Sequence, residues 1–252
     1  MPPKKTHPFT PDKHFTQLLH DYSGNAINGV GEPSTRRPSM VWWAPDPQSA
    51  PFGDAQKWFY SQEQPDEEML ELRRSRHEVV NQPIPEIAAE PVLKQPNDWT
   101  SELQQFIDSG DCEMTGVTPL EADWVFDHEE STLPNIVMLG VQHDYEELKH
   151  VPAIKGGKDV TRQYLRAAAA AKKVAAWLRE QGYQADAVTG PMTGKILMIP
   201  PAIACGFGEL GKHGSIINPE FGSAFRLSAV LTDAPFASTP PREFGVDDFC
   251  SR

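Results

Sequence analysis

Cysteine is scarce in this chain: Cys112, Cys205 and Cys250 are all it has in 252 residues. Thiols so few and so scattered exclude a disulfide framework and a structural zinc site. They also fall short of the four ligands that an ordinary 4Fe–4S cluster takes. No apolar run approaches the roughly 20 residues that a spanning helix requires. The start, Met1-Pro2-Pro3-Lys4-Lys5-Thr6, has no hydrophobic region of the secretory kind. Arg36-Arg37 invites a twin-arginine reading, but Pro38 to Asp46 is too short and too broken by proline and aspartate to complete it. The chain is therefore expected to be cytoplasmic. Basic residues are in deficit too, 23 against 35 acidic, for a net charge of −12. That balance argues against nucleic acid or an anionic membrane as partner, since either wants a basic surface.

Proline, by contrast, is abundant. The chain has 24, about twice the usual share, and 14 of them precede residue 100. Residues 1–95 accordingly read as an extended arm, rich in Pro, Gln, Glu and aromatics, with one short helix around Met69 to Arg74. Trp42, Trp43, Trp58, Phe59 and Tyr60 are many large aromatics for a disordered segment. The arm is expected to pack across the main domain, or else to line a cofactor pocket.

From residue 96 to 252 the pattern becomes globular. Trp99 to Ser109 reads as a helix closed by Gly110. Ile136 to Val141 is a continuous apolar run, as in a strand buried on both faces. Thr161 to Gln181 is the clearest helix. Asp159 or Thr161 would cap it, Gly182 would end it, and Tyr164, Ala168, Ala171, Ala175 and Leu178 share one face. Ala185–Val188 and Lys195–Ile199 read as two strands joined by the turn at Thr189-Gly190-Pro191-Met192, and Phe225–Thr232 as a third. Helices and strands alternate, so the fold class expected is α/β or α+β, a sheet with helices packed on it.

Gly206-x-Gly208-x-x-Gly211 matches the dinucleotide fingerprint in letters. Its context fails. Pro200-Pro201 break the approach, and Gly214, Pro219 and Gly222 forbid the helix that would meet a pyrophosphate. The plainer reading is a helix from Ala202 that ends in a glycine-rich loop, whose backbone can pass close to something bulky and flat.

Taken as a whole, four stretches in order resemble the corrinoid-dependent reductive dehalogenases and their relatives, the epoxyqueuosine reductases. The first is the apolar strand running into His143-Asp144-Tyr145-Glu146-Glu147. The second is the alanine-rich helix with Leu178-Arg179-Glu180-Gln181-Gly182-Tyr183. The third is Gly206 to Gly214 with Asn218-Pro219-Glu220-Phe221-Gly222. The fourth is Leu227 to Asp233 and the run into Phe249-Cys250. Together they cover roughly residues 97–252.

The resemblance implies a nitroreductase-like domain, a three-layer arrangement of sheet and flanking helices, holding cobalamin in base-off form without flavin. Tyr164 falls where that family's helix carries the proton donor, and Arg226 where a cation supports it. Gly206, Gly208, Glu209, Gly211, Lys212, His213, Gly214, Asn218, Glu220, Phe221 and Gly222 fall on the shelf for the corrin. Ser223 and Ala224 replace the family's proline and first basic residue, so the neighbourhood of Arg226 departs from the pattern. His143 and His213 raise the question of a lower axial ligand, which base-off members do without. Cys250 would be the first ligand of the family's 4Fe–4S run. The chain is thus expected to be cut before a ferredoxin-like part and inactive without it.

The expected activity is removal of halide from a small organohalide. Electrons would come from a ferredoxin, a reductase or a fused iron–sulfur domain, and a homodimer stays open. An epoxyqueuosine-reductase-like enzyme and a corrinoid carrier without turnover are the alternatives. On residues alone, Tyr164 reads equally as a core tyrosine on an amphipathic face, and Arg226 as half of a surface salt bridge.

Overall fold

The computed structural model describes residues 36–40, 46–61, 66–190 and 194–250, with only the backbone of residues 59 and 60. Trp42 and Trp43 lie outside the described residues, as does part of the turn read at 189–192.

The core is a four-stranded antiparallel sheet in the order β1-β2-β6-β3. Its strands are β1 (Met114–Pro119), β2 (Asn135–Gln142), β3 (Ala185–Val188) and β6 (Phe225–Thr232). A small hairpin, β4 (Glu209–Leu210) with β5 (Ile216–Ile217), stands apart from it. The helices are α1 (Gly53–Ser61), α2 (Glu67–Asn81), α3 (Pro96–Glu102), α4 (Gln104–Asp108), α5 (Tyr145–Leu148), α6 (Ile154–Glu180), α7 (Ile199–Ala204) and α8 (Val246–Cys250). A sheet clothed on both faces gives the layered α+β architecture expected.

Strand alternation sorts the core into two halves. Val137, Leu139, Val141 and Val230 face α6 and pack against Ala167, Ala171, Val174 and Leu178. Ile136, Met138, Ala229 and Leu231 face the other way, onto Ala202, Phe207 and Ile216. Because Ala167, Ala168, Ala170 and Ala171 are thin, α6 lies close on the sheet along its middle. Trp99 anchors one end, making edge contacts with Trp177 at 5.4 Å, Tyr183 at 5.3 Å and Phe236 at 6.0 Å between ring centroids.

Several sequence expectations need correction. Helix α6 begins at Ile154 rather than Thr161, so Asp159 and Thr161 are interior residues and not caps. Gly156 accounts for this: a Cβ there would lie 2.6 Å from the Val151 side chain, so this glycine serves packing instead of breaking the helix. The span from Trp99 to Ser109 forms two short helices, α3 opened by Pro96 and α4. Lys195–Ile199 is not a strand. Ile196 makes a single bridge to Val125, and the chain then enters α7, where prolines occupy early positions whose N–H groups need no partner. That helix starts at Ile199, not at Ala202. The helix read at Met69 to Arg74 extends over Glu67–Asn81, capped by the Asp66 side chain.

The described end of the arm packs on α6. Lys158 pairs with Asp66 and Glu68 at 2.8 Å each, and Arg162 with Glu68 at 3.0 Å. Farther along, Lys172 donates to the Gln82 carbonyl at 2.6 Å, and Tyr183 Oη to the Val92 carbonyl at 2.9 Å. Helix α2 is thereby fixed against the N-terminal half of α6. No helix among the described residues is long and apolar enough to cross a membrane.

Candidate functional site

One turn before its alanine-packed middle, α6 carries Gln163 and Tyr164 near the end of the sheet where β2 leaves and β6 enters. Arg226 is the second residue of β6, opposite Val141, and shares the parity of Val230. Its side chain therefore projects toward α6. The Arg226 Cζ lies 4.5 Å from the centre of the Tyr164 ring, within the range of a cation–π contact. Arg226 forms no ion pair with any described residue, and its Nε is buried without a hydrogen-bond partner. The structure thus brings Tyr164 and Arg226 together.

A third residue, which sequence reasoning missed, joins them. Arg76, from α2, places its Cζ 5.6 Å from the same ring centre, and its Nε is likewise buried and unpartnered. Nothing in the sequence near Arg76 signals this, because the contact depends on how the arm docks.

Beside the tyrosine lies a buried polar pair. His143 Nδ1 meets Asp159 Oδ2 at 2.5 Å, with His143 4% and Asp159 0% exposed. Asp159 Oδ1 accepts from Gln163 Nε2 at 2.8 Å and from the Asp144 amide at 3.3 Å. Gln163 in turn accepts from Arg166, which pairs with Glu113 at 2.8 Å. Burial pushes His143 below its ordinary range. The Asp159 bond opposes that, and the positive Arg226 adds to it. His143, raised above as an axial-ligand question, is tied to Asp159 on the α6 side of the sheet. The readable signal for this network was the polar series Asp159, Gln163, Arg166 at intervals of four and three on a mostly buried helix.

The glycine loop sits against the opposite face of the sheet, at the same end. Its inner glycines are explained by the chain itself. A Cβ on Gly208 would fall 2.2 Å from the Ile217 carbonyl oxygen, one on Gly206 would fall 2.7 Å from the Pro240 carbonyl, and one on Gly211 would strike the His213 ring at 2.4 Å. Asn218 is turned inward: its amide donates to the Phe207 carbonyl at 2.8 Å, and its oxygen accepts from the Glu220 and Phe221 amides at 2.8 and 2.9 Å. The outer rim differs. Lys212, His213, Gly214, Glu220 and Gly222 are exposed, and nothing stands within 4 Å of a Cβ built on Gly214 or Gly222. Phe221 is half-buried between the two zones. Open space for a bound group therefore lies along this rim, not at the inner turn.

Replacing Gly208 by alanine is expected to destabilise the fold by about 1–3 kcal/mol, since both the clash and the backbone at φ 153° oppose it. Chemical denaturation of the variant checks this.

The Glu209 carboxylate accepts from the Phe244 amide at 2.7 Å and from Val246 at 3.2 Å, and these bonds hold it below the usual carboxylate range. Lys212 Nζ reaches the Cys250 carbonyl. The hairpin and the segment bearing Cys250 are thereby held side by side. Burial pushes the Cys112 and Cys205 thiols up to about 12, which keeps both protonated and inert. No cluster of three potential metal ligands occurs among the described residues.

The fold thus joins a layered antiparallel sheet, a long alanine-rich helix bearing a cation-flanked tyrosine, and a glycine hairpin held beside a cysteine. No family model matches the chain. Tetrachloroethene reductive dehalogenase of Dehalobacter restrictus is 33% identical over 161 residues, covering 62% of this chain and 28% of that protein. Its counterpart from Sulfurospirillum multivorans is 26% identical over 120 residues, covering 48% and 23%. Among solved structures, the catabolic reductive dehalogenase NpRdhA aligns with a TM-score of 0.65 at 20% identity, covering 73% of this chain and 28% of that one. The same enzyme in complex with 3-bromo-4-hydroxybenzoic acid aligns at 0.66. The resemblance to the reductive dehalogenases therefore holds in sequence and in fold. The chain spans little more than a quarter of the length of these relatives.

Proposed function

We propose that residues 96–252 form the corrinoid-binding, substrate-facing part of a reductive dehalogenase-like oxidoreductase, with the 1–95 arm packed over it. The observation that carries this reading is the Tyr164 ring held against Arg226, a pair brought together from α6 and β6.

Chemically, a carbon–halogen bond is replaced by a carbon–hydrogen bond: two electrons and one proton enter, and halide leaves. Tyr164 Oη supplies the proton to the carbon. Arg226 holds the ring in place and stabilises negative charge left on the oxygen. Lys212, His213, Glu220 and the open backbone at Gly214 and Gly222 would hold the polar edge of a base-off cobalamin. When bound, that group would supply a strongly reducing centre for the two-electron reduction. The Lys212 and Glu209 contacts keep Cys250 beside this rim, a short path for electrons if Cys250 ligates a cluster in a longer chain. The electron source is then a fused iron–sulfur part or a separate ferredoxin or reductase.

Titration of the purified protein with cobalamin tests the reading. Saturable change in the corrin absorption spectrum at micromolar protein is expected, weakened when Gly214 and Gly222 are both replaced by valine. An unchanged spectrum would dismiss the corrinoid assignment. Transfer RNA as substrate is disfavoured by the net charge of −12, which leaves little basic surface for a phosphate backbone.

A further inference from the structure

Resting on that reading of the site, we infer that Arg76 and Arg226 jointly form an anion subsite beside Tyr164, so that the organohalide this chain takes carries a carboxylate group. Both guanidinium groups lie against one aromatic ring, at 5.6 and 4.5 Å from its centre. Each has an Nε removed from solvent with no hydrogen-bond partner. Buried polar groups are normally satisfied, and a guanidinium has five donors in a rigid fork. Two like charges gathered at one ring, each with one buried donor left unpaired, favour an anion beside them.

No described residue provides that anion. Asp159, the buried carboxylate nearest in the network, already accepts from His143, Gln163 and the Asp144 amide. Neither arginine forms an ion pair with a described residue, although acidic side chains outnumber basic ones by 35 to 23 along the chain. Other cations of α6, namely Lys158, Arg162, Arg166 and Lys173, do have carboxylate partners.

A carboxylate suits this pair of cations. It is planar, offers two oxygens to two forks, and can lie along the ring that both cations touch. A neutral haloalkene has no group that would satisfy either donor set. Arg76 matters most here, because it comes from the arm and not from the stretches that carry the family resemblance. Substrate choice would then be written in α2.

The test needs no cobalamin. Calorimetric titration of the intact chain with 3-chlorobenzoate and with chlorobenzene compares a carboxylate with its neutral counterpart. The carboxylate is expected to bind at least about tenfold more tightly, and R76Q and R226Q are each expected to lose about tenfold for it while leaving chlorobenzene unchanged. Equal binding of the two probes by the wild type, or an undiminished carboxylate affinity in R76Q, would overturn the inference. Should R76Q fail to fold, the wild-type comparison still decides. Carboxylate preference without cobalamin binding would sink the corrinoid reading and leave the subsite standing. Cobalamin binding without that preference would do the opposite.

Discussion

Replacing Tyr164 by phenylalanine is expected to lower kcat for halide release by roughly 100-fold or more, the usual worth of a positioned general acid. The substitution removes one oxygen and keeps the ring. Arg226 and Arg76 interact with the ring face, so their contacts at 4.5 and 5.6 Å survive. Folding, cobalamin binding and KM should therefore change little. Replacing Arg226 by methionine removes the charge instead, and should lower kcat while also raising KM for an acidic substrate. Halide release from cobalamin-loaded protein with a chemical reductant separates the two patterns. A Y164F variant that kept most of its turnover would remove the tyrosine from the proton-donor role.

How much of this could be read beforehand depends on where each signal resides. Strands β3 and β6 match their sequence boundaries, and β2 extends the apolar run by one residue at each end, because runs of apolar residues carry their own pattern. Strand β1 escaped notice. Met114-Thr115-Gly116-Val117-Thr118-Pro119 has neither alternation nor a long apolar run, and it becomes a strand by pairing with β2 at the sheet edge, where a terminal proline is tolerated. Gly156 and Gly157 hid the start of α6 for a related reason, since local propensity says nothing of the Val151 contact. Tyr164 and Arg226 were legible only through resemblance, as no spacing links residues so far apart. Arg76 was not legible at all. The inner glycines invited a ligand reading, whereas backbone crowding by Ile217 and Pro240 already demands them. Letters alone do not separate a glycine required by the fold from one left open to a ligand.

Asp159→Ala should be the most damaging single change to the fold, with an expected loss of about 3–5 kcal/mol, as for removal of one partner from a buried pair. Three donors would lose their acceptor at once: His143 Nδ1, Gln163 Nε2 and the Asp144 amide. His143 and Gln163 are buried, so neither recovers a partner without local opening. The consequence has a pH signature. Burial holds the folded His143 below its ordinary value of 6.5, so the unfolded chain takes up the proton first as pH falls. His143 therefore contributes stability that is present above about 6.5 and is lost as pH drops through its folded value. Asp159 opposes this by favouring the protonated ring, and its removal leaves burial and the Arg226 charge unopposed. Urea unfolding at about pH 7.5 and about pH 5.5 should thus show a steeper acid loss in D159A than in the wild type. A milder loss is expected in D159N, which keeps the shape and one acceptor. Since the Asp159–His143 pair sits one turn from Tyr164 and next to Arg226, D159A should also loosen the ring. A D159A protein as stable as the wild type at both pH values would mean that this pair does not hold the helix to the sheet.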